Sequence, residues 1–164
     1  RERDLLLFLK SEEKGVLVSC VEEVERLVDL RISLARTVTR AAEQAFPNCS
    51  ALVGGLVATR LVERAGGLER LAVMPSATIQ VLGAETALFS HLHAGTPPPK
   101  HGILFQHRRV HRAPRNLRGR VARTIAAKMA IAAKLDHLRG VLVPEFIEKA
   151  EQQIDRAGGK HAVD

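Results

Sequence analysis

From residue 16 to residue 46 the apolar positions fall at alternating steps of four and three: Leu17, Val21, Val24, Val28, Ala35, Val38, Ala42 and Ala45, with Arg31 as the one polar occupant of the register. That period predicts one long helix with an apolar seam along one side. The seam suits a two-helix coil or the inner face of an ordinary packed helix, and both readings stand at this point. Upstream, Arg1–Lys10 reads as helical and Glu12-Glu13-Lys14-Gly15 as a turn, so the first 46 residues predict a helical hairpin or a coiled-coil-like segment.

Phe46-Pro47-Asn48 ends the long helix. Asn48 or Ser50 can cap a following helix over Ala51–Ala65, which stops at Gly66-Gly67. Gly54-Gly55 within that span costs about 1 kcal/mol per glycine relative to alanine, tolerable where another backbone comes close. Short helices are predicted over Leu68–Leu71 and Ala77–Leu82, the latter opened by Pro75-Ser76, and Gly83 separates them from Ala84–His93. Pro97-Pro98-Pro99 removes backbone donors and fixes φ, so the chain there is extended. Ile103-Leu104-Phe105 forms an apolar plug. Helix resumes near His107, breaks at Pro114 and runs from Arg115 to about Leu138, where Gly140 closes it. Pro144 opens a last helix to about Ala157. Only Val16–Val18 and Val141–Val143 look strand-like, and the predicted architecture is all-α.

In the Arg115–Leu138 helix, Arg120, Arg123, Ala127, Ala130 and Lys134 share one stripe, where small residues between cations let a bulky, rigid object approach. Leu117, Val121, Thr124, Ile131 and Leu135 lie elsewhere on the wheel and are expected to face the core. Arg115 and Arg118 are placed in the first turn, where positive charge opposes the helix dipole and a bound anion would relieve it.

Composition sharpens this picture. Hydrophobic residues make up 46% of the 164, aromatics only 3%, with no Trp or Tyr, so the core depends on close contacts between alanine- and leucine-rich helices. There is neither an apolar run of membrane-spanning length nor a signal-peptide pattern. Cys20 and Cys49 are expected to be reduced, buried or half-buried thiols, which points to an intracellular protein. The chain opens on Arg1 rather than methionine, which suggests an upstream portion. The net charge is +7, but residues 100–140 hold eleven Lys/Arg against one acid, Asp136, so the remainder is slightly acidic. This asymmetry favours a polyanionic partner.

Rival chemistry finds little support. His91 and His93 are two apart on a helix and face different ways. His107 and His111 could share a metal, but Arg108, Arg109 and Arg112 crowd them with positive charge, so no metal or other cofactor is expected. No nucleophile–base constellation, carboxylate pair or phosphate-cradling glycine loop appears, and an enzyme is not expected.

At the level of longer blocks, VMPSATIQVLGAETALFSHLHAGTPPPKHGILFQH followed by HRAPRNLRGRVARTIAAKMAIAAKLD resembles the Nop domain, the RNA-binding domain of box C/D ribonucleoprotein core proteins and of a related spliceosomal factor. The preceding PNCSALVGGLVATRLVERAGGLERLA resembles the segment leading into it, and Phe105-Gln106-His107 is closest to archaeal members. The resemblance covers roughly residues 47–140. It implies a helical segment over 1–46 like the end of a coiled coil, a compact Nop domain over 47–158 and a flexible tail over 159–164. The implied function is a non-catalytic scaffold that recognises box C/D or kink-turn RNA jointly with a small kink-turn-binding ribosomal-type protein. It would support guide-directed 2′-O-methylation by fibrillarin, reached only through an N-terminal domain that these residues do not resemble. A homodimer through residues 16–46 is also implied, in the cytoplasm of an archaeal-like cell or the nucleolus of a eukaryotic one.

Carried onto this sequence, the resemblance marks Gly83, Ala84 and Glu85 at a helix start, Lys100 and His101 on the proline arm, Gln106 and His107 after it, and Arg118 and Arg120 at the head of the alanine-rich helix. Thr86 and Ser90 stand where members usually carry basic residues. With the charge reading, Arg108, Arg112, Arg115 and Arg123 complete the expected RNA-binding set: the arm presents Lys100 and His101 at small ordering cost, Gln106 and His107 address an unpaired base, and arginines grip phosphates. Two other readings are carried forward, a duplex-DNA-binding helical domain and a freestanding paralogue acting as a protein-interaction module.

Overall fold

The structure, a computed structural model, describes residues 11–159. Nine α-helices and one 3-10 turn are present among them, and no strand. In order, α1 is Ser11–Ala45, α2 Pro47–Val53, α3 Gly55–Ala65, α4 Leu68–Val73, α5 Ser76–Val81, α6 Glu85–Ala94, the 3-10 turn Ile103–Gln106, α7 Arg108–Arg112, α8 Arg118–Leu138 and α9 Pro144–Ala157. The all-α expectation holds. No helix among the described residues is long and apolar enough to cross a membrane.

The chain divides after Thr37 into two units. The first, in its described part, is helix, and its apolar positions Leu17, Val21, Val24 and Val28 are all exposed. The turn expected at Glu12–Gly15 is absent, because α1 begins at Ser11 and runs straight through Gly15. One glycine costs a helix only about 1 kcal/mol, and the long run of good helix formers after it outweighs that. The Arg1–Lys10 half of the expected hairpin lies outside the described residues. Cys20 is exposed on α1, contrary to expectation, while Cys49 is buried.

The second unit is organised around α8, against which α2, α4, α5, α7, α9 and the 3-10 turn all pack. Val121, Ala122, Ile125, Ala126, Met129, Ala132, Ala133 and Asp136 are its buried positions, an arc of about 140° of the helix circumference. Four alanines among the eight let neighbouring axes come close. The expected inner face is therefore rotated: Val121 is buried, but Ile131 is 44% exposed on the same outward strip as Arg120, Arg123, Ala127 and Lys134. Leu61, Leu71, Ile79, Leu104, Val110 and Ile154 bring the larger apolar side chains around this spine.

Three further expectations change. The single helix over 51–65 is two helices, broken at Gly54, whose φ of 84° is left-handed. Gly55 then starts α3 with its backbone against α1, where an added Cβ would lie 2.9 Å from the Thr39 Cα. Close approach thus explains one glycine of the pair, and the positive φ at the break between the two helices explains the other. Neither Asn48 nor Ser50 caps a helix with its side chain. Both strand-like stretches are non-strand: Val16–Val18 belongs to α1, and residues 141–143 form an irregular link from α8 to α9.

Candidate nucleic-acid interface

The proline arm leaves α6 through Gly95, a left-handed residue (φ 65°), and returns to dock on the end of α5. Gln80 supports it from both ends of its residue, donating from Nε2 to the Lys100 carbonyl (2.8 Å) and accepting from the Gly102 N–H (3.0 Å). Ile103 N–H donates to the Leu82 carbonyl at 2.8 Å, and buried Leu104 anchors the 3-10 turn that follows. Two glycines make this docking possible. Gly83 has φ 84° and would meet Ile103 with a Cβ, and a Cβ on Gly102 would lie 2.0 Å from the Leu82 oxygen. The arm is held along its backbone, so its side chains are presented without much ordering left to do.

Lys100 is exposed, with its aliphatic stem 3.5–3.8 Å from where a Cβ on Gly119 would lie at the head of α8. His101 stacks on Phe105 (ring centroids 4.6 Å apart), and Phe105 also meets His111 and lies under the Arg118 guanidinium at 5.4 Å. Arg118 in turn donates to the carbonyls of Ala113 (3.1 Å) and His111 (3.3 Å), so its fork serves to fasten the α7–α8 turn. Burial is the main influence holding the His101 imidazole below its ordinary range, with Arg118 and Lys100 adding to it.

His107 is turned further inward, with Nδ1 buried and lacking a hydrogen-bond partner. Burial first, then Arg109 and Arg108, push its pKa from 6.5 down to about 4. The unfolded chain takes up the proton near 6.5 and the folded chain only near 4, so this contribution to stability is complete above pH 6.5 and is lost as pH falls towards 4. Thermal unfolding should show the midpoint dropping through that window, and dropping less in His107→Asn. An identical pH profile in both proteins would assign the effect to another group.

The arginines divide. Arg109 is only 25% exposed and is paired with Asp155 (3.2 Å) and Glu151 (3.8 Å) of α9. Arg108 and Arg112 are exposed on α7 beside it, along a cleft that also includes Val121 and Ile154. Gly119, where an added Cβ would meet the Lys100 side chain, and Val121 are two residues apart on α8, about 200° around the helix. The arm and the α7 cleft therefore lie on opposite flanks of α8, with Arg120 and Arg123 exposed on the crest between them. Arg115 is exposed in the turn at residues 115–117 rather than in the first turn of α8, which begins at Arg118. Among the described residues no carboxylate lies within 4.0 Å of Lys100, Arg108, Arg112, Arg115, Arg120, Arg123 or Lys134. The first turn of α8 contains no acid either, so the positive end of its dipole and two arginines stand together.

The helix start at Gly83-Ala84-Glu85 is also occupied. Glu85 accepts from Arg64 Nε (3.0 Å) and Nη2 (2.8 Å) and from the Gly83 N–H (2.8 Å). Chiefly through the Arg64 hydrogen bond, its carboxyl is held down at about 2. One turn earlier on α3, Arg60 donates to Gln106 Oε1. The α6 helix beyond Glu85 buries none of its residues and leaves Phe89 and Leu92 exposed, Phe89 stacked on His93.

Comparison with known proteins fits this geometry. The family model described as Nop, snoRNA binding domain, fibrillarin matches residues 8–158. The chain belongs to the Nop family. An uncharacterised NOP5 family protein of Methanocaldococcus jannaschii is 39% identical over 153 residues, 93% of this chain and 37% of that protein. Nucleolar protein 58 of Mycosarcoma maydis is 38% identical over 120 residues, 73% of this chain and 21% of its own, and human nucleolar protein 56 is 37% identical over 132, 80% and 22%. A solved chain from a fibrillarin/Nop5p complex superposes with a TM-score of 0.67 at 34% identity, covering 94% of this chain and 58% of that one. The chain thus spans little more than a third, or less, of the curated relatives it matches. Within this Nop domain, Arg60 and Arg64 escaped the charge reading because their stretch, RLVERAGG, is nearly neutral; their spacing of four on one helix face is the signal that could have found them.

Proposed function

We propose that this Nop domain is the RNA-binding part of a box C/D-type ribonucleoprotein scaffold, with no catalytic role of its own. It would contact kink-turn RNA together with a small kink-turn-binding protein. The observation that carries this reading is the exposed crest of α8, where Arg120, Arg123 and Lys134 have no acidic partners among the described residues and are spaced by alanines, with Lys100 near the head of the same helix. A surface of fixed cations without counter-charges stabilises a phosphate backbone by releasing its condensed counterions. Docked Lys100 and the stacked His101–Phe105 pair add a rigid edge suited to unpaired nucleotides. Fibrillarin, and with it guided methylation, is proposed to be reached through a part of the protein outside residues 47–158. The exposed seam of α1 supports a homodimer through residues 16–46.

Arg120→Ala and Arg123→Ala are expected to weaken assembly on a kink-turn RNA carrying its small protein by about 1 kcal/mol each or more. The salt dependence of affinity should flatten by about one phosphate contact per arginine. Normal assembly by both variants, with unfolding midpoints unchanged, would remove the α8 crest from the RNA surface. Tighter binding to duplex DNA than to the RNA–protein complex would replace the reading altogether.

A further inference from the structure

We propose that Arg64, with Arg60 one turn before it on α3, is a phosphate-contacting part of the RNA surface, and that in the free protein the Glu85 carboxylate holds the place an RNA phosphate takes. This rests on the RNA-binding reading above and extends it to a helix outside the basic segment.

The Glu85 oxygens meet the guanidinium through Nε and Nη2, at 3.0 and 2.8 Å, the same two-pronged approach that a phosphate's non-bridging oxygens make. The Gly83 N–H adds a third donor at 2.8 Å. Three donors from two separated stretches of chain therefore already converge on one pair of anionic oxygens. Arg64 lowers the Glu85 pKa to about 2, so the placeholder is ionised throughout the neutral range.

The clasp is also easy to open. Its side chains are 56% and 48% exposed, and exposed ion pairs contribute little net stability because water and salt compete for both charges. An RNA phosphate would exchange one anion for another on the same donors, while releasing its own counterions. Arg60 lies on the same face of α3, four residues before Arg64, and holds Gln106. The two arginines thus touch two elements of the RNA-binding set, the start of α6 and the 3-10 turn. They supply cations at a corner where residues 86 and 90 are Thr and Ser.

The test is anisotropy titration of the full chain onto a fluorescein-labelled kink-turn RNA pre-bound by its small kink-turn-binding protein, at three salt concentrations, with thermal midpoints measured for every variant. Glu85→Gln is expected to tighten assembly about three- to tenfold and to steepen the salt dependence, since a competing charge is gone. Arg64→Gln is expected to weaken it about tenfold and to flatten that slope by about one. Glu85→Gln should have no tightening effect once Arg64 is glutamine. If Glu85→Gln instead weakens assembly alongside an equal loss of thermal stability, the pair is only a structural clasp and the inference is wrong. If neither variant changes assembly while Arg123→Ala weakens it, the inference is wrong and the RNA reading stands. If Arg123→Ala is also without effect, or the unmodified chain does not bind, both fall.

Discussion

Asp136→Ala should destabilise the second unit by about 3 kcal/mol or more, because it strands several buried donors at once. Asp136 is 4% exposed near the end of α8, and its carboxylate accepts from the Asn48 N–H (2.9 Å), the Asn48 side-chain amide (2.7 Å) and the Cys49 N–H (2.8 Å). The two backbone groups are free N–H groups of the first turn of α2, a seven-residue helix whose own N-cap position, Phe46, has no side chain able to serve them. The cap is thus supplied from 88 residues away. Asn48 passes the constraint on, donating to the Val141 carbonyl and accepting from the Val143 N–H, both at 2.8 Å, so the α8–α9 link is held by the same network. Burial and then the nearby Asp136 charge drive the Cys49 thiol far up, leaving it unreactive in the same pocket.

Asp136→Asn keeps the shape but turns one acceptor into a donor facing N–H groups. It should recover only part of the loss, remaining about 1–3 kcal/mol below the parent. Chemical denaturation with an unchanged m-value would measure both differences. An alanine variant within about 0.5 kcal/mol of the parent, the range of an ordinary surface substitution, would refute the keystone role.

None of that network was legible in the sequence. Asn48 next to Pro47 looks like a local cap, and Asp136 looks like the one acid diluting a basic helix. Nothing in either neighbourhood indicates the other, because a cap contributed across the fold leaves no local spacing to read. What was legible had a local cause. Gly66 and Gly140 end helices in left-handed conformations, and Pro144 opens α9. The face of α8 was more legible on its outside than on its inside. Arg120, Arg123 and Lys134 must reach water, which fixes the exposed strip, but alanine carries no preference between inside and out. The inner face was assigned from Leu117, Val121, Thr124, Ile131 and Leu135, and of these Val121 is buried while Ile131 is exposed.

The candidate site follows the same division. Counting charge found the crest and the arm. It could not separate Arg118, committed to backbone carbonyls, from the arginines around it that have no acidic partner among the described residues. Nor could it see that Glu85 carries an arginine of its own.

The docked arm leads to the other large effect. Gly102→Ala should cost about 3 kcal/mol or more and should abolish the fixed presentation of Lys100 and His101. The added Cβ would fall 2.0 Å from the Leu82 oxygen, 2.7 Å from its carbon and 2.8 Å from the Val81 oxygen, all backbone atoms with no rotamer to relieve the clash. Leu82 cannot withdraw, since it is buried and ends α5, whose Ile79 is fully enclosed. The arm must lift instead, breaking the Gly102–Gln80 and Ile103–Leu82 hydrogen bonds and loosening buried Leu104. Gly119→Ala is the matched control on the other side of Lys100. Its Cβ would meet the Lys100 side chain at 3.5 Å, an ordinary contact, and alanine is the better helix former. Amide exchange at Ile103 should accelerate strongly in Gly102→Ala and stay slow in Gly119→Ala, with RNA assembly lost only in the former. If the Gly102 variant kept a protected Ile103 amide and a parental midpoint, the arm could not be held by the close backbone approach on which its presentation depends.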